Sequence, residues 1–173
     1  MRFDPRLGQE IENRRLAVQK LREWVRSEPW THRLTLNFNA GRSISDVTAE
    51  KRFHFFLADL DRYFFGPNYY SRRTEAVGFQ ENISTNRHIH VMMKVLHSKM
   101  KKANDAAMQS IWRSVQPGGT AYPERVRDSG AADYCTKQLW MPGNYDRVLF
   151  SEASEEEYAP KSRVPLPNKR LLD

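Results

Sequence analysis

Cysteine is almost absent. Cys135 stands alone among 173 residues, so the chain can form no internal disulfide and no cysteine-rich zinc module. That usage fits a reducing, cytoplasmic setting. No apolar run approaches the ~18 residues that a membrane-spanning helix needs, and the N-terminal stretch Met1-Arg-Phe-Asp-Pro-Arg6 lacks the hydrophobic core of a secretory signal. No membrane partner is expected. The glycine-rich phosphate loop of nucleotide hydrolases does not occur, which argues against an ATP-driven motor, and no internal repeat is visible.

Positive charge is in surplus. Against 21 Asp and Glu stand 28 Lys and Arg, a formal net charge of +7, which suits a polyanionic partner, nucleic acid first. The length allows one compact domain with a substantial core. Residues 8–26 place Ile11, Val18, Leu21 and Val25 at helical intervals among many charges, an amphipathic helix that Pro29 closes. Thr31 to Asn39 alternates, with Leu34, Leu36 and Phe38 on one face, and reads as a strand. From the capping residues Ser45 and Asp46 a helix runs to about Phe65, its Phe53, Phe56, Leu57, Leu60 and Phe64 forming an apolar stripe for the core.

Two strands follow at about 73–82 and 88–96, joined by the polar segment Asn82–Arg87 as a hairpin. Residues 99–115 repeat at helical spacing, Thr120 to Asp128 reads as a short strand, Ala131 to Trp140 as a helix, and Tyr145 to Ser151 as a last strand. The order implies an α+β fold, a central antiparallel sheet with helices packed mainly on one face. The expected organisation is an N-terminal helical extension over 1–30, a core domain over 31–151, and a flexible proline-containing tail over 152–173.

The pair His88-Ile89-His90 is the strongest chemical signal. Side chains two apart on a strand project from the same face, so both imidazoles aim at one point while Ile89, Val91, Met93 and Val95 fill the other side. A hard divalent cation also wants oxygen, and Glu81, across the hairpin, is the nearest carboxylate, with Glu75 as the fallback and Gln80 as a competing acceptor. Two nitrogens and one carboxylate leave coordination positions open for a phosphate oxygen.

Downstream, Tyr134 and Lys137 stand three apart on one helix face, and Ala131 and Ala132 leave room beside them. A free phenol titrates near ~10 and attacks poorly at neutral pH, so a nearby cation, Lys137 or a metal, is needed to favour its negative form.

Taken in order, Leu34-Thr-Leu-Asn-Phe38, His88-Ile-His90 and Tyr134-Cys-Thr-Lys137 resemble the motifs of the HUH endonucleases, specifically the single-tyrosine initiators of rolling-circle replication. The resemblance covers about residues 31 to 140. It implies a five-stranded antiparallel sheet with the Leu34–Phe38 strand at its centre, the histidine strand adjacent, and the tyrosine helix over the same face. It further implies His88, His90 and Glu81 as ligands of Mg²⁺ or Mn²⁺, Tyr134 as nucleophile and Lys137 as its assistant. Such proteins nick one DNA strand at an origin through a 5′-phosphotyrosine intermediate.

The implied partner is single-stranded or melted origin DNA, including a hairpin, with Arg72, Arg73, Arg87, Lys94, Arg125 and Arg127 as candidate contacts and a helicase acting in trans, since no helicase segment follows the nuclease motifs. Three alternatives share parts of this pattern: a single-tyrosine transposase with the same motif order, a non-catalytic nucleic-acid-binding module with a similar sheet, and a zinc hydrolase built on His88 and His90. The last leaves Tyr134 and Lys137 without a role.

Overall fold

The computed structural model describes residues 5–151, apart from 41, 42, 72, 83, 84, 100 and 142. The proposed tail at 152–173 and Arg72 lie outside the described residues. Five strands, β1 (His32–Asn37), β2 (Glu75–Glu81), β3 (His88–Lys94), β4 (Thr120–Arg125) and β5 (Val148–Phe150), form one sheet in the order β4-β1-β3-β2-β5. Every neighbouring pair is antiparallel. Four helices flank it: α1 (Pro5–Ser27), α2 (Asp46–Phe65), α3 (Asp105–Val115) and α4 (Gly130–Thr136). The fold is α+β, as the strand and helix patterning requires.

Three expectations are corrected. The helices divide between both faces: α2 and α3 pack on one, α1 and α4 on the other. The reason lies in the inner strands, which are apolar on both sides. Ile89, Val91 and Met93 of β3 enter the α2–α3 core, whereas Met92, with Val77 and Phe79 of β2, enters the α1–α4 core. The middle strand is β3 rather than β1, because β4 adds to the outer edge of β1 while β2 and β5 extend the other side. The last strand starts later than expected, since Tyr145–Arg147 forms a 3₁₀ turn before β5.

Local signals set the helix ends. The Ser45 hydroxyl accepts a hydrogen bond from the Thr48 amide at 3.2 Å, and the Asn104 side chain accepts from the Ala107 amide at 2.9 Å. The second cap explains why α3 begins at Asp105 rather than near 99. Gly66, at φ 62°, ends α2 in a backbone conformation that side chains other than glycine resist. The α2–α3 core holds the large rings of Phe38, Phe53, Phe56 and Trp112, all buried. Trp112 Nε1 donates to the Asn37 carbonyl at 2.9 Å, tying α3 to the strand beside the histidines.

Helix α1 supplies Val18 and Val25 to the second core, against Ala132, Cys135 and Leu139 in and after α4. Asp133 of α4 accepts from Arg26 Nε at 2.7 Å and from Arg22 Nη2 at 3.4 Å, so charge and packing together hold α4 against α1. No helix among the described residues is long and apolar enough to cross a membrane.

His54 is buried in α2, and that burial pushes its pKa down to about 4. The unfolded imidazole keeps its ordinary value of 6.5, so between about 4 and 6.5 the unfolded chain binds more protons than the native one. The stability held above 6.5 is therefore lost as the pH falls toward 4, at the limit by ~3 kcal/mol, since each tenfold change in proton affinity is worth about 1.4 kcal/mol. A His54→Leu protein should lose less stability than wild type between pH 7 and pH 4.5 in urea titrations. Identical losses in the two proteins would refute this origin of acid sensitivity.

Candidate active site

The β2–β3 hairpin pairs Glu81 directly with His88, and Phe79 with His90. Partners in register share a face, so Glu81, His88 and His90 all stand on the α1–α4 side. Glu81 Oε2 lies 3.4 Å from His88 Nε2 and 3.3 Å from His90 Nε2, and the two ring nitrogens are 3.2 Å apart. The ligand atoms of all three lie within 4.8 Å of one another.

Each imidazole is held from behind. His88 Nδ1 stands 3.2 Å from the Asn86 carbonyl, which can only accept, so Nδ1 carries a proton and Nε2 is the nitrogen turned toward Glu81. His90 Nδ1 meets the Thr35 hydroxyl at 3.1 Å. Such outer partners orient imidazole ligands toward a metal.

Electrostatics favour an ionised Glu81 carboxylate. Burial pushes the Glu81 carboxyl up, but hydrogen bonds with His88 and His90, then the charges of His90 and Lys137, outweigh it and bring the value to about 2. Burial lowers the pKa of His90, against the raising pull of Glu81. Glu81 Oε1 is buried and has no hydrogen-bond partner among the described residues, an uncompensated acceptor of the kind that costs stability unless something binds it. Two imidazole nitrogens, one anionic carboxylate and that orphaned oxygen fit a divalent cation.

Tyr134 projects from α4 onto the same site. Its ring centroid is 4.9 Å from that of His90, and its side chain is 45% exposed. Two cations flank the ring: Lys137 Nζ at 3.8 Å from the centroid, and the Arg33 guanidinium at 4.8 Å. Lys137 Nζ also reaches Glu81 Oε2 at 3.3 Å, so one ammonium bridges the tyrosine and the histidine–carboxylate cluster. Although α4 ends at Thr136 rather than at Trp140, Lys137 caps it in helical backbone geometry, which keeps the i, i+3 relation. The neighbouring Cys135 is buried, and burial pushes its thiol up to about 12, leaving it inert beside the tyrosine.

The other expected residues scatter. Gln80 faces the opposite side and accepts from Arg87 Nη1 at 2.7 Å, and Glu75 binds Lys94 at the far end of the hairpin, so neither competes with Glu81. Arg87 is buried between Gln80 and Asp46, with Arg147 completing the Asp46 cluster. Lys94 is shared by Glu28 and Glu75 at 2.6 Å each. Arg73 lies 3.9 Å from buried Asp61 of α2. These three positions are committed to the scaffold; Arg125 and Arg127 instead line an open cleft with Arg33.

Arg33 itself was not singled out from the sequence, nor was Thr35. Their signal was available: Arg33, Thr35 and Asn37 are the polar alternates of the strand whose apolar face is Leu34, Leu36 and Phe38. Comparison of the chain with protein-family models, with curated proteins and with solved structures finds no match.

Mn²⁺ titrated into the protein in a calorimeter should bind with one-to-one stoichiometry. His90→Ala should abolish binding, and Thr35→Val should weaken it by roughly 10- to 100-fold, as loss of an outer partner does. Wild-type affinity in the His90→Ala protein would remove that residue from the ligand set.

Proposed function

We propose that this protein is a metal-dependent single-strand DNA endonuclease and strand transferase of the HUH type, nicking at a replication origin to start rolling-circle replication. The observation that supports it is the convergence of Tyr134 and Lys137 on the Glu81–His88–His90 cluster, on one face, with the tyrosine open to solvent. A buried structural tyrosine would not need an ammonium over its ring and a half-exposed edge. A zinc hydrolase using water would leave that tyrosine idle.

Glu81, His88 and His90 would hold a Mg²⁺ or Mn²⁺ ion, which when bound supplies Lewis-acid stabilisation of charge on a nonbridging phosphate oxygen. The remaining chemistry falls to the chain. The Tyr134 hydroxyl oxygen forms the new bond to phosphorus, its proton passing to solvent. The bond from phosphorus to the 3′ oxygen breaks, and that oxygen leaves as a hydroxyl after taking up a proton. Lys137 and Arg33 place positive charge beside the attacking phenol as it becomes anionic. The phosphotyrosine ester conserves the energy of the broken linkage, so a 3′ hydroxyl can later displace the tyrosine and rejoin the strand. DNA enters single-stranded, as melted duplex or a hairpin loop, and opening of longer duplex is assigned to a helicase in trans.

Incubation with single-stranded origin DNA and Mn²⁺ should yield a protein–DNA adduct that survives a denaturing gel. Tyr134→Phe should abolish the adduct while leaving DNA binding intact, His88→Ala should abolish it as well, and Lys137→Ala should slow it by about 10²-fold, the scale of one lost electrostatic contact. An adduct that persists in Tyr134→Phe would assign the nucleophile elsewhere, and a wild-type protein that cuts without any adduct would overturn the covalent route.

A further inference from the structure

The α1–α4 layer covers only half of its sheet face. Val77, Phe79 and Met92 lie beneath it, while the same face of β1 and β4 carries Arg33, Thr35, Asn37, Tyr122 and Glu124, none of which belongs to either apolar core. In the strand register Tyr122 stands opposite Thr35, and Thr35 opposite His90, so Tyr122 continues the histidine row two strands outward. It is 58% exposed, an aromatic ring on the open edge of the sheet. Such a ring has no role in either core.

Where β4 ends, a cleft of about 540 Å³ is lined by residues that include Arg33, Glu124, Arg125, Arg127, Asp128 and Gly130. Glu124 is held by Arg33, with Nε at 2.8 Å, and Asp128 accepts from the Gly130 amide at 2.9 Å. Among the described residues Arg125 and Arg127 have no carboxylate partner, and both line the cleft; Arg125, in register with His32, alternates to the other side of β4 from Tyr122 and so stands at the rim of the sheet edge. Arg33 joins this cleft to the active site, because the same guanidinium packs on the Tyr134 ring.

We propose, resting on the strand-cleavage reading above, that a single DNA strand reaches Tyr134 by passing around the β4 edge of the sheet, with backbone phosphates against Arg125 and Arg127 in the cleft at the end of β4 and one base stacked on Tyr122 on the open β1–β4 face. The chemistry selects this occupant. A single strand offers both a row of negative charge and unpaired base faces, and the two kinds of anchor lie on the edge strand β4 and the two residues that follow it, three to five residues apart. Duplex DNA could satisfy the arginines but keeps its base faces stacked on each other, leaving Tyr122 without a partner. The carboxylates of Glu124 and Asp128 repel a backbone that strays toward them and so restrict its path.

The experiment uses the full chain with Tyr134→Phe, to prevent cutting, and a fluorescently labelled oligothymidylate whose binding is followed by anisotropy over a range of salt. Removing Arg125 and Arg127 together (Arg125→Gln, Arg127→Gln) should make the plot of log affinity against log salt shallower by about 1.4, two phosphate contacts at ~0.7 each for a single strand. Lys101→Gln with Lys102→Gln, which removes the same charge on the side where Lys102 meets Tyr63 of α2, should leave the slope unchanged. Tyr122→Ala should weaken binding about ten-fold at every salt concentration with no change in slope, and Tyr122→Phe should restore it, because stacking needs the ring and not the hydroxyl.

Equal losses in the two charge-removal proteins, or wild-type affinity in Tyr122→Ala, would overturn the track. Were wild type to form the covalent adduct while these variants bound normally, only the track would fall. Binding that depends on Arg125, Arg127 and Tyr122 in a protein that never forms an adduct would uphold the track and overturn strand cleavage.

Discussion

A buried carboxylate surrounded by two imidazoles and an ammonium is the constraint around which the site is organised. Taking Glu81 out of water costs several kcal/mol, and that cost is met only while partners surround it in good geometry. Four elements have to agree for this: β2 brings the carboxylate, β3 both rings, β1 the Thr35 hydroxyl behind His90, and α4 the Lys137 ammonium. Because Glu81 Oε1 has no hydrogen-bond partner among the described residues, the cluster they form is electrostatically incomplete. An incompletely satisfied anionic site facing a half-exposed tyrosine is better suited to binding and reaction than to stabilising the fold.

The scaffold answers this demand by dividing labour between the two faces. The α2–α3 side is a conventional aromatic core, and it holds β1 and β3 rigid from below through Leu34, Leu36, Ile89 and Val91. The α1–α4 side is a smaller core over β2, β3 and Val148 of β5, and its job is to set the height and direction of α4 over the histidines. Helix α1 contributes to that placement through Val18 and Val25 and through the Arg22 and Arg26 contacts to Asp133, the residue just before Tyr134. Exposed ion pairs are individually weak, so the apolar contacts do most of this work and the arginines refine orientation.

Much of the site was legible because strand periodicity is unforgiving. With a repeat of two, His88 and His90 had to share a face, and a hairpin closing between 82 and 87 left Glu81 little choice but to stand opposite. The i, i+3 spacing of Tyr134 and Lys137 likewise survived a helix shorter than expected. The basic residues were not legible in the same way, since charge in a sequence says nothing about who neutralises it. Arg87 and Lys94 looked like surface cations, yet one is buried against Gln80 and Asp46 and the other is clamped by Glu28 and Glu75. Of these partners Asp46 and Glu28 are distant in sequence, while Gln80 and Glu75 lie on the hairpin itself.

Local chemistry by itself determined the strands and helices, their approximate limits, the shared face of the two histidines and the pairing of tyrosine with lysine, because each depends on spacing within a few residues. Tertiary structure alone decided that the helices occupy both faces, that β3 takes the middle of the sheet, that Arg33 flanks Tyr134 and Lys137 reaches Glu81, and that the β1–β4 half stays open. These outcomes depend on which distant segments meet, and loop closure and burial select such meetings over the whole chain at once.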